Sequence, residues 1–576
     1  MRYVNLAKLA VSFITLFPWL LVQAFQSSPN VQTETGSLYG ELIQLPTGEE
    51  CYQFLGIPYA EAPEGIQRFK DKPRPKQRWN STLTATSFKS QCFLADNMGG
   101  GGYGGGSDQC LNLNIWVPRR IFDRLGGNKS PSTAVFVLLQ NKMPMLNGAI
   151  MATYNDIIVV TPQFRIGPVG FSFLGVGSSV ATPNLGLWDQ LEALKWINNN
   201  IGKFGGNKSA IALGGLDVGA IHASFHMVSK HSQGLFQRLI LQSGIFTMPL
   251  PSMISKFAKE NSQKFFSQIC REQCSTACNN VDTPNFYNCF KMSTSTNYNS
   301  ILNDIELLTS DFLPIVDGDF ITDDPIKLIE RGEFNNVPIL FGLNRDDAAL
   351  KVLSNFYTVT EQGQRAIVVG SFTLANFDGL VENQFEARFP NSSLVHSAIE
   401  ATYWPSKDVH DVVAQSLIMA ETDYRLACPL VKWANRTVEK SVAMFGYHFT
   451  EENTTLNVFS NLVTNSDEFF YVYGMPFADG DSADDSSDSR KQLSKVMMAY
   501  WANFIKTGDP NNGPAVGENW LNWPDMTKQR SSCFLEINSN SIQNRDAQQE
   551  VIVCDFKKPQ CRVSLLFFKQ IPCLCL

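Results

Sequence analysis

One stretch of the chain reads Ser209-Ala-Ile-Ala-Leu-Gly-Gly-Leu-Asp-Val-Gly-Ala-Ile-His-Ala-Ser-Phe-His-Met-Val228. Its first five residues are typical of a short buried strand, and the residues after Gly219 are typical of the first turns of a helix. A strand-to-helix turn that strains its middle residue leaves no space for side chains two positions before and after it. Gly215 and Gly219 stand at those two positions around Asp217. The stretch therefore predicts a strained elbow with Asp217 at its tip, although a simple tight connection would also account for the two glycines.

Other segments occur before and after this elbow in a fixed order. They are Phe54-Leu-Gly-Ile-Pro-Tyr-Ala-Glu-Ala-Pro63, Asp108-Gln-Cys-Leu-Asn-Leu-Asn114, Val159-Val-Thr-Pro-Gln-Phe-Arg-Ile-Gly167, Asn184-Leu-Gly-Leu-Trp-Asp-Gln190, Gln242-Ser-Gly244, Pro314-Ile-Val-Asp-Gly318, Gly342-Leu-Asn344 and Tyr500-Trp-Ala-Asn-Phe-Ile-Lys-Thr-Gly-Asp-Pro-Asn511. Together with the elbow, these segments resemble the type-B carboxylesterase and cholinesterase family in that family's own order. The resemblance implies an α/β-hydrolase fold, a single large domain over residues 25–560 whose large central mostly parallel sheet is flanked by helices.

The family's catalytic triad has lost its nucleophile and its base in this chain. The resemblance places the nucleophilic serine on Asp217 and the triad histidine on Asn465. The triad acid falls on Asp347, where a carboxylate survives on a shorter stem. Losing a triad member typically lowers turnover by a factor on the order of 10⁴ to 10⁶.

The oxyanion loop is also changed. In the family it is a glycine-rich run after a hydrophobic strand, and here that run falls on Gln140, Asn141, Lys142 and Met143, after Val135-Phe-Val-Leu-Leu139. Bulky side chains replace the glycines that let backbone N–H groups converge on an oxyanion. The resemblance thus predicts that no catalytic residue is functional, and no cofactor is expected.

Hydrolysis through Asp217 is the competing interpretation. Some α/β-hydrolases use an elbow aspartate as the nucleophile, forming a carboxyl ester that a histidine-activated water cleaves. Asn465 cannot accept a proton near neutral pH. The six histidines of the chain stand at other positions, namely His222, His226, His231, His396, His410 and His448. We expect His222 and His226 to be packing or surface residues.

Two ligand hypotheses concern the gorge, the cleft that leads to the active site in the cholinesterase branch of the family. The cholinesterase branch holds a quaternary ammonium against an indole in the loop closed by its first disulfide, but the loop from Cys92 to Cys110 contains no tryptophan, so choline binding is disfavoured. A small apolar ligand remains an alternative occupant. The carboxylate of Asp217 would disfavour binding of such a ligand, because burying an unpaired charge is costly. An ion pair would reduce that cost, and Lys142 is the expected partner.

Composition favours a large globular protein. The chain is 44% hydrophobic and 18% charged, with a formal net charge of -7, which argues against disorder and against nucleic acid as a partner. The acidic run at residues 479–488 predicts a solvated loop. Its spacing does not match an EF-hand, so no metal site is expected.

The N-terminus predicts secretion. Arg2 and Lys8 precede an apolar run, and residues 1–24 are typical of a signal peptide. Six sequons follow, at Asn80, Asn128, Asn207, Asn391, Asn435 and Asn453. Together with thirteen cysteines, these features predict a secreted, extracellular, disulfide-bonded glycoprotein.

The resemblance also suggests how cysteines pair. Cys92–Cys110 and Cys428–Cys554 correspond to the family's first and last bridges, and the middle bridge region suggests Cys270–Cys289 and Cys274–Cys278. The pairing of the remaining cysteines is left open; these are Cys51, Cys533, Cys561, Cys573 and Cys575. Residues 561–576 form a short tail that is apolar but interrupted by Lys569, Gln570 and Pro572, and it is too short for a transmembrane helix. Cys573 or Cys575 in this tail could link a homodimer.

Two classes of function follow from these observations. The favoured one is a non-catalytic glycoprotein that binds an extracellular protein partner, because the family includes members that lost the serine and serve in adhesion, matrix contact or assembly. Binding of a small apolar ligand is a variant of this class. The alternative is a carboxylic ester hydrolase with an atypical site in which Asp217 is the nucleophile.

Overall fold

The computed structural model describes residues 29–65, 67–92, 106–127, 130–140, 146–178, 180–250, 253–273, 311–354, 356–359, 365–367, 372–386, 389, 392–452, 462–478, 489–514, 521–529, 532–539 and 552–554. The expected signal peptide, the acidic run at 479–488 and the tail at 561–576 lie outside this part of the chain.

The strands are numbered in chain order. They are β1 (Asn30–Gln32), β2 (Ser37–Tyr39), β3 (Glu41–Gln44), β4 (Glu50–Pro58), β5 (Leu83–Thr84), β6 (Asn112–Pro118), β7 (Thr133–Leu139), β8 (Ile158–Pro162), β9 (Gly206–Leu216), β10 (Arg238–Gln242), β11 (Ile339–Asn344), β12 (Tyr357–Val359), β13 (Arg365–Ile367), β14 (Met444–Phe449), β15 (Ser532–Ile537) and β16 (Ile552–Cys554).

The α-helices are numbered in the same way. They are α1 (Gln67–Lys70), α2 (Arg119–Phe122), α3 (Ala149–Asn155), α4 (Gly167–Phe171), α5 (Leu185–Asn200), α6 (Val218–Val228), α7 (Ser255–Gln273), α8 (Pro325–Glu330), α9 (Ala349–Ser354), α10 (Phe377–Phe385), α11 (Ser393–Tyr403), α12 (His410–Thr422), α13 (Cys428–Thr437), α14 (Asp467–Val472), α15 (Ser489–Thr507) and α16 (Met526–Gln529). A π-helical turn, Asp423–Ala427, connects α12 to α13.

The main sheet of the described residues has eleven strands in the order β3-β4-β6-β8-β7-β9-β10-β11-β14-β15-β16. The strands from β8 to β15 pair in parallel, whereas both edges of the sheet are antiparallel. This is the predicted α/β-hydrolase fold, with a mostly parallel central sheet.

Helices cover both faces of this sheet, as a parallel sheet requires. Strand β7 shows the reason, because all but its first residue are buried and successive side chains point to opposite faces. Val135 and Val137 join the core shared with α5 and α6, while Phe136 and Leu138 join the core shared with α3 and α15.

The register aligns the carboxyl ends of the central strands. Gln242 at the end of β10 pairs with Leu216 at the end of β9 and with Gly342 in β11. The loops that follow these three strands therefore leave from one edge of the sheet. Ligand sites of open parallel sheets lie at this edge, where the strand order reverses.

Candidate functional site

The predicted elbow is present, and Asp217 is its tip. The strand is longer than the sequence suggested, since β9 runs from Gly206 to Leu216, and α6 begins at Val218. Asp217 has a φ of 53° and a ψ of -118°, a conformation that non-glycine residues rarely adopt. Its N–H donates to the carbonyl of Gln242 (2.8 Å), and its carbonyl accepts the N–H of Ala220 (2.9 Å). Strain of this kind costs about 1 to 3 kcal/mol, and the surrounding structure must hold it.

The two glycines of the elbow are required by close backbone contacts. A Cβ on Gly215 would lie 2.1 Å from the carbonyl oxygen of Gly219. A Cβ on Gly219 would lie 2.0 Å from the carbonyl oxygen of Leu139, the last residue of β7. The elbow is thus packed directly against the strand that precedes the oxyanion segment.

The acid and base positions of the degraded triad are in contact. Asp347 lies just after β11, and Asn465 lies just before α14. The Nδ2 atom of Asn465 donates to Oδ1 of Asp347 (2.7 Å), and the N–H of Asn344 donates to Oδ2 (2.8 Å). Where the family has an imidazole to carry a proton, this chain has an amide that donates to the acid and cannot act as a base near neutral pH.

Burial keeps Asp347 from ionising readily. Burial, together with the weaker effect of the negative charge of Asp217, raises the pKa of this carboxyl group to about 6. The N–H of Asn344, the amide of Asn465 and the hydroxyl of Ser243 offset part of that rise, although the Ser243 hydroxyl makes no hydrogen bond of regular geometry. Ser243 directly follows β10.

Glu468 is a member of this site that the sequence analysis did not single out. It is fully buried, and burial together with the charge of Asp347 raises the pKa of its carboxyl group to about 7. Asn344 donates to its Oε2 (2.6 Å), and Gln242 donates to its Oε1 (3.1 Å). The position three residues after Asn465, in the first turn of α14, was the sequence signal that could have revealed it.

The oxyanion segment is only partly described. Gln140 directly follows β7 and is buried, with 6% of its surface exposed. Asn141, Lys142 and Met143 lie outside the described residues. The expected ion pair between Lys142 and Asp217 therefore stays a prediction.

The histidines nearest to the elbow in sequence are packing residues. His222 and His226, on α6, are fully buried and share Gln190 of α5: Nδ1 of His222 lies 3.0 Å from its Nε2, and Nε2 of His226 lies 2.9 Å from its Oε1. Burial lowers the pKa of both imidazoles to about 3. They are core groups held neutral, not the surface residues that the sequence left possible.

The remaining four histidines are held by contacts or by burial away from the triad positions. His231 contacts Asp319, His396 lies beside Glu386, and His410 bonds to the carbonyl of Phe372. Burial lowers the pKa of His448, on β14, to about 4.

One of the expected disulfides lies within the described residues. Cys92 and Cys110 are bonded, with their Cα atoms 4.8 Å apart. Cys270 is disulfide-bonded, but Cys274, Cys278 and Cys289 lie outside the described residues. Cys554 is described in its backbone only, so its pairing with Cys428 stays a prediction. Cys51 is a buried free thiol.

The glycosylation sites stay predictions. Asn80 is exposed, and Asn207 and Asn435 are half-buried. Asn128, Asn391 and Asn453 lie outside the described residues. Within the described ranges, no helix has the length and apolar character needed to cross a membrane. The same ranges contain no group of His, Cys, Asp and Glu side chains suited to a metal ion.

These features define an α/β-hydrolase in which the nucleophile elbow carries a carboxylate and the triad base position carries an amide. The chain belongs to the carboxylesterase family, whose sequence profile matches residues 27–553.

The relatives found include cholinesterases and a neuroligin. The chain is 28% identical to acetylcholinesterase of Bungarus fasciatus, over 89% of this chain and 83% of that protein. It is 27% identical to cholinesterase of Mus musculus, over 94% of this chain and 87% of that protein. It is 29% identical to neuroligin-3 of Mus musculus, over 87% of this chain and 64% of that protein.

Proposed function

We propose that this protein is a secreted, extracellular binding glycoprotein without esterase activity. The observation that carries the proposal is the hydrogen bond from the amide of Asn465 to Asp347, at 2.7 Å. In an active triad the acid orients an imidazole and stabilises its positive charge in the transition state. Here the acid binds an amide that remains neutral, so no group at this position can take a proton from a nucleophile.

The missing groups act together. The elbow holds Asp217 in the place of the serine, and Gln140 begins the segment in which the family has its oxyanion glycines. One absent oxyanion donor typically lowers turnover about 10² to 10³-fold, in addition to the loss from the triad. A protein lacking nucleophile, base and oxyanion glycines is left with little catalysis to measure.

The comparisons are compatible with either class of function. The identity to neuroligin-3, 29%, is close to the 27% and 28% found for the cholinesterases. Overall sequence identity therefore does not distinguish between the binding protein and the hydrolase. The choice between these two functions rests on the residues of the site.

A second candidate is hydrolysis with Asp217 as the nucleophile. Its supporting observation is the elbow itself, which presents this carboxylate at the start of α6 in the strained conformation of a nucleophile. Such a reaction needs a base for water, and a carboxylate whose pKa is about 6, such as Asp347, has suitable basicity. Both oxygens of Asp347 already accept hydrogen bonds, from Asn344 and Asn465, which weighs against that role.

The proposed binding partner is an extracellular protein. A small apolar ligand bound in the gorge is the alternative to a protein partner. The proposed oligomeric state is a homodimer linked through Cys573 or Cys575. The support is the signal-peptide pattern, the six sequons and the disulfide Cys92–Cys110. Nucleic acid is disfavoured by the net charge of -7.

The test is a search for a covalent intermediate. The purified protein is mixed with p-nitrophenyl acetate or with styrene oxide, quenched in acid, and the peptide containing Asp217 is weighed by mass spectrometry. We expect no acyl or alkyl adduct. An adduct on Asp217 would support the hydrolase instead, and Asp217→Ala provides the matched control for adducts formed elsewhere in that peptide.

A further inference from the structure

A partly open cavity lies away from the elbow. It has a volume of about 410 Å³, within the range of sites for small ligands. Its walls come from the start of α8, the end of α10, from α11, from α13 and from residues 246–249. Asp217, Asp347 and Asn465 are not among its lining residues.

Aromatic side chains form much of this cavity. They are Phe246, Phe385, Phe389, Tyr403, Tyr424 and Trp433. Tyr424 packs edge-on against Phe385 and Phe389, with ring centroids 5.9 and 5.4 Å apart. Trp433 is held edge-on by Phe341, at 5.1 Å, so its ring has a fixed position in the wall.

Asp423 is one of two carboxylates that line the cavity, and a helix irregularity positions it. The chain is helical from His410 to Thr437, and Asp423 begins a π-helical turn between the two α-helical parts of this run. Pro429 accounts for the interruption, because it lacks the N–H that would bond to the carbonyl of Arg425 and its ring would clash there. Single π-helical turns inside α-helices are frequent at functional sites.

Asp423 is not neutralised by a basic side chain in the described part of the chain. The Tyr403 hydroxyl donates to its Oδ2 at 2.7 Å. Arg425, the nearest basic residue in sequence, is paired with Glu421 at 3.6 Å instead. Burial raises the pKa of Asp423 to about 6 and the Tyr403 hydroxyl offsets part of that rise, so the carboxylate is mostly ionised above neutral pH.

The other charged groups of the cavity lie at the start of α8 and on α13. Asp324 accepts the N–H groups of Ile326 and Lys327 as the N-cap of α8. Lys432 and Arg436 are exposed, so water and salt screen their charges more than they screen the charge of the half-buried Asp423.

We propose that this cavity binds an organic ammonium ion with an aromatic or aliphatic body, whose cationic group pairs with Asp423 and whose body lies against the aromatic walls. A half-buried carboxylate attracts a cation more strongly than an exposed one because water screens it less, and ring faces attract cations within about 6 Å of their centroids. This ligand class goes beyond the proposed function and does not depend on it, because the site shares no residue with the degraded triad.

The experiment compares three probes of similar shape and different charge. They are 2-phenylethylamine, 2-phenylethanol and 3-phenylpropanoate, whose dissociation constants are measured at pH 7.5 by ligand-observed NMR titration of the full secreted protein. We expect the amine to bind at least tenfold more tightly than the alcohol or the anion. Tighter binding of the anion would overturn the proposal and would point to Lys432 and Arg436 as the dominant charges.

Variants locate the binding. Asp423→Asn keeps the size of the side chain and should weaken binding of the amine at least tenfold, whereas Glu439→Gln, an exposed neutralisation beyond the end of α13, should leave it unchanged. Ala398→Phe fills the cavity from α11 and should abolish binding of the amine. Thermal unfolding of each variant verifies that it is folded. Unaltered amine affinity in folded Asp423→Asn, or amine binding that persists in folded Ala398→Phe, would contradict the assignment.

Discussion

Asp217 retains the backbone conformation of a nucleophile without the surroundings of one. Its φ of 53° is set by the packing of the elbow, in which Gly215 touches Gly219 and Gly219 touches Leu139. An aspartate in place of a serine does not relieve that geometry, because both residues carry a Cβ. The strain therefore persists with aspartate at the tip of the elbow.

This strain predicts the effect of a single substitution. Asp217→Gly should raise the free energy of unfolding by about 1 kcal/mol, since glycine adopts positive φ without a Cβ clash and the gain exceeds its extra entropy in the unfolded chain. The measurement is equilibrium unfolding in urea. Asp217→Ala removes the same carboxylate and keeps the Cβ. An equal gain in both variants would show that the carboxylate, and not the backbone, is the source of the strain.

At the scale of elements, the loops after β10 and β11 and the start of α14 bring two buried carboxyl groups together. Burial raises the pKa of both Asp347 and Glu468, and the charge of Asp347 also raises that of Glu468, while Asn344, Gln242 and Asn465 supply the hydrogen bonds that make their burial tolerable. Such a site binds protons more tightly in the folded protein than in the unfolded chain.

The pH dependence of stability follows with a definite sign. The pKa of Glu468 is about 7 in the folded protein, against about 4.3 for an unperturbed glutamate, so its contribution is fully present below pH 4 and is lost as the pH rises through about 7. In Glu468→Gln this step is absent. The free energy of unfolding of the variant, relative to wild type, should therefore increase by on the order of 2 to 4 kcal/mol from about pH 4.5 to about pH 7.5.

Taking the difference from wild type at each pH removes the opposing contribution of His222 and His226, whose lowered pKa values reduce stability as the pH falls. Urea unfolding across this pH range provides the values. Glu260→Gln, an exposed neutralisation on α7, is the control and should show no such trend. A pH-independent difference for Glu468→Gln would contradict the raised pKa.

The elements also show what the sequence could predict. The elbow was predictable because glycines at this spacing, between an apolar strand and an apolar helix, match the close backbone contacts of such a turn. Asp347 and Asn465 were predictable because segments of the chain follow one another in the same order as in the family, which places these two residues at the positions of the triad acid and base. Glu468 was missed as a site member because a helix-starting acidic pair is common, and only the folded chain shows that Glu468 is buried against Asn344 and Gln242. The cavity around Asp423 was unpredictable, since its walls come from segments far apart in sequence.

At the scale of the whole molecule, the scaffold around the altered triad positions is held by a buried ion pair. Arg165, just before α4, is 1% exposed and forms a two-pronged contact with Asp189 of α5, at 2.7 and 2.6 Å. The same guanidinium donates to the carbonyls of Arg68 and Asp71, which fixes the N-terminal segment against the main body. This arrangement stabilises the fold and does not involve the triad positions.

Breaking this pair should therefore be costly. Asp189→Asn leaves the buried Arg165 guanidinium without its counter-charge and should lower the free energy of unfolding by about 3 to 5 kcal/mol. Asp319→Asn, which loses an exposed ion pair with Lys72, should cost less than about 1 kcal/mol. Equal losses in the two variants, measured by urea unfolding, would contradict the structural importance given to the buried pair.

The central claim is that this scaffold carries no working hydrolase. The direct measurement is the steady-state rate of p-nitrophenyl acetate hydrolysis by the purified secreted protein, beside folded Asp217→Ala and heat-denatured wild type at equal concentrations. The account predicts that all three rates are the same within error, with no saturable turnover. Saturable turnover by wild type that is lost in Asp217→Ala would contradict it and would make Asp217 a catalytic nucleophile.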